Sequence, residues 1–172
     1  EVIALYPDKS HDIKGCWSGA VLNDPDVTED ETWLVYTVVD NARASMRFAR
    51  PIDSTFMHFE KVPTHAITGI PGGYSSDFRD PYYFRSNGKA YLMVGSRKNG
   101  IGCTILFEWN GSSWTHKGEC FVGSSKAECG EFFEMANITQ IGDKWLFTAT
   151  PLGTNVGVRN LYWVGQVDAN GK

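Results

Sequence analysis

The sequence predicts an all-β chain of repeated four-stranded units, the pattern of a β-propeller, on three observations. Strand-like runs fill it almost throughout. No window of about 12 residues carries a helical 3.6 period. Similar strands also recur at near-constant spacing: Trp33-Leu34-Val35-Tyr36, Tyr91-Leu92-Met93-Val94 and Trp145-Leu146-Phe147-Thr148 put Leu34, Leu92 and Leu146 58 and 54 residues apart. A four-stranded unit repeating at that interval is the mark of a propeller blade. An irregular β-sandwich with accidental spacing is the competing reading.

Taken in order, each copy opens with a preceding strand, at Ser18–Leu22, Asp80–Phe84 and Phe132–Ile138. The central strands follow at Thr32–Val39, Lys89–Gly95 and Lys144–Thr150, with further runs at Thr104–Trp109 and Leu161–Val167. All are rich in β-branched and aromatic residues and bounded by Gly, Asn, Asp or Pro. Asn110-Gly111, between Thr104–Trp109 and Ser113–Lys117, is a strong hairpin signal, and Asn87-Gly88 and Gly142-Asp143 mark similar turns. Three units are too few to close a ring, which needs about four blades or more. Asp168-Ala169-Asn170-Gly171-Lys172 ends on a turn with no returning strand. Residues 1–172 therefore read as one partial propeller domain, its first and last blades missing.

Composition narrows the function. The 16 Lys and Arg against 20 Asp and Glu leave a net charge of −4, which argues against nucleic acid and against a polybasic membrane contact. Apolar residues reach 42%, enough for a core, yet no apolar run approaches the roughly 18 residues of a membrane helix. Glu1-Val2-Ile3-Ala4-Leu5 is neither a signal peptide nor a natural start. Cys16, Cys103, Cys120 and Cys129 form no C-x-x-C, and His11, His58, His65 and His116 have no ligand spacing, so no metal is expected. No glycine-rich phosphate loop points to a cofactor. The 6 Trp, 7 Tyr and 10 Phe suit cores and also sugar binding, where flat rings stack on C–H faces.

In a propeller the innermost strands line a central channel, so polar residues from different blades converge there. Three segments sit at comparable places: Gly15–Val21, Phe78–Tyr82 and Ala127–Phe133. Two of them bring carboxylates, the pair that glycoside hydrolysis needs, one to protonate the leaving oxygen and one to stabilise or attack the anomeric carbon. On those residues the sequence resembles glycoside hydrolase family 32, the β-fructosidases (invertase, inulinase, levanase). Trp17-Ser18-Gly19-Ala20 is similar to the family's Phe/Trp-Ser-Gly-Ser/Ala motif. Phe78-Arg79-Asp80-Pro81 is similar to its Arg-Asp-Pro motif, and Glu128-Cys129 matches part of Glu-Cys-Pro. Gly130 stands where the family has Pro, and Glu131 where it has Asp. Lys144–Phe147 and Tyr162–Asp168 resemble later strands of the family.

The resemblance implies a five-bladed propeller, with about three central blades in this chain. It also implies a retaining double displacement at β-fructofuranosyl linkages of sucrose or fructans. Glu128 would be the acid/base, its pKa raised by burial or by Glu131, and Asp80 the transition-state stabiliser, kept ionised by Arg79. Trp17 and Ser18 would line the fructose pocket, with Cys129 and Glu131 beside the acid/base. The family carries its nucleophile upstream of the Trp-Ser-Gly segment, where nothing here matches. Asn23-Asp24-Pro25-Asp26 spells Asn-Asp-Pro but reads as a turn in an exposed acidic loop with Glu29, Asp30 and Glu31. This chain alone is therefore expected to be inactive. A non-catalytic fructan-binding propeller and a fructosyltransferase are the alternatives. Polymeric substrates would favour a secreted or periplasmic location.

Overall fold

The computed structural model describes residues 3–8, 11–40, 43–154, 157 and 159–172; residues 1–2 of the N-terminal segment lie outside these. Three antiparallel sheets follow one another along the chain, each a simple meander. The first holds β1 (Cys16–Asn23), β2 (Thr32–Val39), β3 (Ala44–Pro51) and β4 (Phe59–Ile67). The second holds β5 (Phe78–Ser86), β6 (Lys89–Lys98), β7 (Ile101–Trp109) and β8 (Trp114–Val122). The third holds β9 (Phe132–Ile141), β10 (Lys144–Leu152) and β11 (Leu161–Gly165). The only helical segments among the described residues are single turns, α1 (Pro25–Thr28) and α2 (Lys126–Cys129). The sheets do not close on one another, so the chain is an all-β, partial propeller. The inner strands β1, β5 and β9 lie side by side.

The continuous apolar run of β6 follows from its place between two blades. Ala90, Leu92 and Val94 face the first sheet, in one cluster with Leu22, Trp33, Val35, Met46 and Phe48. Tyr91 and Met93 point the other way, to Phe133, Ala136, Ile138 and Phe147 of the third sheet. Alternate side chains thus serve two cores, and both faces must be apolar. Gly95 is required here, because a Cβ would stand 2.3 Å from the Phe133 carbonyl oxygen of the next sheet. The turns read from sequence are present: Asn87 and Gly88 both have positive φ, the type I′ geometry that matches strand twist.

Each inner strand carries the same irregularity. In β1 three residue steps from Cys16 to Gly19 face two steps on β2, from Val38 to Tyr36. In β5, Arg79 to Tyr82 faces Gly95 to Met93, and in β9, Glu134 to Asn137 faces Thr150 to Thr148. One extra residue per strand makes a β-bulge, which bends the strand and re-aims side chains. The three bulges therefore contain Trp17-Ser18, Asp80-Pro81 and Met135-Ala136.

The turn after β1 departs from expectation. Asp24 is fully buried rather than part of an exposed loop. It caps α1, taking the Asp26 amide at 2.8 Å, and accepts from the Tyr83 hydroxyl and from Arg85 at 2.6 Å, both on β5. Burial works against its charge, but these donors together hold its carboxyl below the usual value.

Candidate active site

The bulges converge on an open cavity of about 770 Å³. Its lining comes from all three inner strands: Cys16, Trp17 and Ser18 of β1, Arg79 and Asp80 of β5, Glu134 and Met135 of β9.

Arg79 organises the charges. Its guanidinium lies 4.0 Å from the Phe132 ring centroid and donates to Glu134 Oε1 at 3.2 Å. Asp80 Oδ2 is 3.9 Å from its Nε, and Asp77 Oδ1 is 3.7 Å from its Nη1. Asp80 is buried, with its backbone in the left-handed region at φ 61°. Its amide donates to Thr37 Oγ1 at 2.9 Å, and its Oδ2 accepts the Met135 amide at 3.0 Å. Burial raises the Asp80 pKa, Glu134 adds to that, and the Met135 amide and Arg79 only partly offset it. Arg79 favours the Asp80 charge, but it is shared among three carboxylates, and desolvation outweighs its help, so the Asp80 pKa lies above its ordinary value.

Trp17 and Ser18 reach the cavity as the sequence suggested; Trp17 is about half exposed and its indole N–H donates to the Lys14 carbonyl at 3.2 Å. The other motif residues are not brought there. Glu128 is exposed on α2, where its carboxylate accepts from Ser124 Oγ at 2.6 Å. Cys129 is buried in the core between the second and third sheets, 3.4 Å from the Ser124 hydroxyl. Glu131 pairs with Lys126 at 2.8 Å and Arg97 at 3.8 Å, and these cations lower its pKa. The three precede the bulge of β9, whereas Glu134 enters it. Cys16, Glu134 and Met135 are the lining residues that motif matching passed over. None of the four cysteines forms a disulfide, and no group of His, Cys, Asp and Glu suited to a metal occurs among the described residues.

A hollow of about 700 Å³ lies on the outer side, between β4 and the β7–β8 hairpin. It is a seam between blades. His65 stacks on Trp109 at 4.7 Å with Trp33 edge-on, and Trp109 donates to the Asp26 carbonyl, so the rings are occupied by one another.

Comparison with known proteins agrees with this architecture. The chain is 27% identical over 171 residues to the sucrose-6-phosphate hydrolase of Pediococcus pentosaceus, covering 94% of this chain and 33% of that protein. It is 30% identical over 149 residues to the fructan 6-exohydrolase of Beta vulgaris, covering 76% and 24%. The chain therefore spans a third or less of these relatives. The solved sucrose-6-phosphate hydrolase of Lactobacillus gasseri superposes with a TM-score of 0.80 at 24% identity, over 98% of this chain and 36% of that one. Fructan 1-exohydrolase IIa of Cichorium intybus gives 0.77 at 20%, over 97% and 33%. The family model for the glycosyl hydrolases family 32 N-terminal domain matches residues 1–172, and the chain belongs to that family of glycosidases.

Proposed function

We infer that the chain forms the central blades of a five-bladed catalytic propeller that cleaves β-fructofuranosyl linkages in sucrose or fructans with retention. The observation that carries this reading is the meeting of Asp80 and Glu134, from adjacent inner strands, around Arg79 in an open cleft walled by Trp17. Glu134, rather than Glu128, is the acid/base in this reading. It is half-buried, lines the cleft and faces the other carboxylate, whereas Glu128 faces solvent. It would protonate the leaving-group oxygen and then take a proton from water. Asp80 would hold sugar hydroxyls and balance the charge that grows at the anomeric carbon, Arg79 would keep the two carboxylates apart, and Trp17 with Ser18 would bound the sugar.

Double displacement also needs a nucleophile. Among the described residues the carboxylates lining the cleft are these two, so the nucleophile would come from a further blade, and the 172 residues alone would not turn over. The intact mass of the natural polypeptide tests this first. A value near 19.2 kDa favours the fructan-binding alternative, and one two to three times larger favours the enzyme. In the larger protein, Glu134→Gln should abolish fructose release from sucrose, inulin and levan while circular dichroism stays unchanged. Glu128→Gln should keep most activity. The opposite pattern returns the acid/base role to Glu128. Calorimetric fructan binding without sugar release supports the binding reading.

A further inference from the structure

We propose that Thr37, which lines no part of the cleft, is a positioning residue for its carboxylate pair. This rests on Asp80 and Glu134 being that pair. Thr37 is fully buried on β2, across the seam from the second sheet. Its hydroxyl accepts the Asp80 amide at 2.9 Å and has Met46 Sδ at 3.9 Å as the acceptor for its own proton.

The need for such a group follows from the bulge. The extra residue in β5 leaves Asp80 without a ladder partner, and a buried unpaired amide is costly. Its left-handed backbone is also one that a non-glycine residue holds only when its surroundings enforce it. The Thr37 oxygen satisfies that amide and ties this stretch of the bulge to β2. The next seam repeats the device: Met135 has φ 50°, and its amide is taken by Asp80 Oδ2. Thr37 thus fixes the Asp80 backbone, and the Asp80 carboxylate fixes the amide adjoining Glu134. Two reacting groups are set by one hydroxyl that touches neither substrate nor cleft.

Valine has the shape of threonine without the acceptor, and serine keeps the acceptor without the methyl. In the intact protein, Thr37→Val should lower kcat on sucrose by about 100-fold, the scale of a 1 Å misplacement, with KM within about twofold. Thr37→Ser should restore most of kcat. Wild-type kcat in the valine variant overturns the proposal, as does an equal loss in valine and serine, which would report packing rather than hydrogen bonding. If the valine variant does not fold, Thr37→Ala, which adds no bulk, replaces it under the same criteria. Asp80→Ala separates the two readings. An active Asp80→Ala enzyme means that the catalytic assignment has failed. An inactive Asp80→Ala beside a fully active Thr37→Val means that the positioning role alone has failed.

Discussion

Asp80 is held in a place where its charge is expensive. Its folded pKa lies above the ordinary 3.8, so the native chain binds that proton more tightly than the unfolded chain does. Stability from this group is therefore lost as pH rises from the unfolded value through the folded one. Asp80→Asn keeps an oxygen for the Met135 amide and removes the charge. The variant should melt above the wild type at about pH 7 and level with it at about pH 3, while losing fructose release. Thermal melts at both pH values check this; a wild type more stable at neutral pH overturns it. How much of this site was legible is clear from Glu134. Motif matching stopped at Glu128-Cys129, six residues before the glutamate that lines the cleft. The signal that finds Glu134 is an offset. Cys16, Arg79 and Glu134 each stand eight residues before a hairpin turn residue, at Asp24, Asn87 and Gly142. Counting back from the turns aligns Glu134 with Arg79, and Met135 with Asp80. The tripeptide match ignored that register, and neither the shared arginine nor the burial of Asp80 leaves a trace in the sequence.

At the scale of elements, β2 has the bounds read from its sequence, and the other predicted strands differ mainly at their ends. Those ends lie in the bulges and at the rim, where pairing rather than side-chain pattern decides where a strand stops. β3 and β4 were not separately legible: Ala44–Pro51 holds Arg47 and Arg50 around Phe48, and Phe59–Ile67, an edge strand, is interrupted by Pro63 and by Glu60, Lys61, Thr64 and His65. The Asp24 turn was misread because five nearby acids look solvated, yet two donors on the adjacent inner strand draw one of them inside. Asp24 therefore ties β5 to α1, and its loss would leave Arg85 with the exposed Asp26 and the Gly88 carbonyl. Asp24→Ala should destabilise the fold by about 2 kcal/mol in urea unfolding, from the lost cap of α1 and the Tyr83 hydroxyl left without its acceptor. In the intact enzyme it should leave kcat per folded molecule unchanged. A selective loss of kcat would instead mark Asp24 as part of the chemistry.

For the whole molecule, the open fan leaves apolar surface at both flanks. On the first sheet, Leu5, Trp17, Val21 and Leu34 border a hollow of about 360 Å³ facing away from the second sheet. On the third, β11 is an edge strand with Tyr162 and Val164 exposed. Unpaired edges and exposed apolar faces invite association. The 172-residue chain made alone should show a sedimentation mass that rises above 19.2 kDa with concentration. A concentration-independent monomer would mean that the flanks are self-sufficient. The seams also have a direction. At each one, the group that holds a bulge belongs to the sheet made earlier: Thr37 for Asp80, then Asp80 for Met135. A ribosome delivers the chain in that same order, so each template is synthesised before the strand it shapes. Chain direction and the direction of dependence between blades coincide, each blade supplying the group on which the irregular backbone of the next one rests.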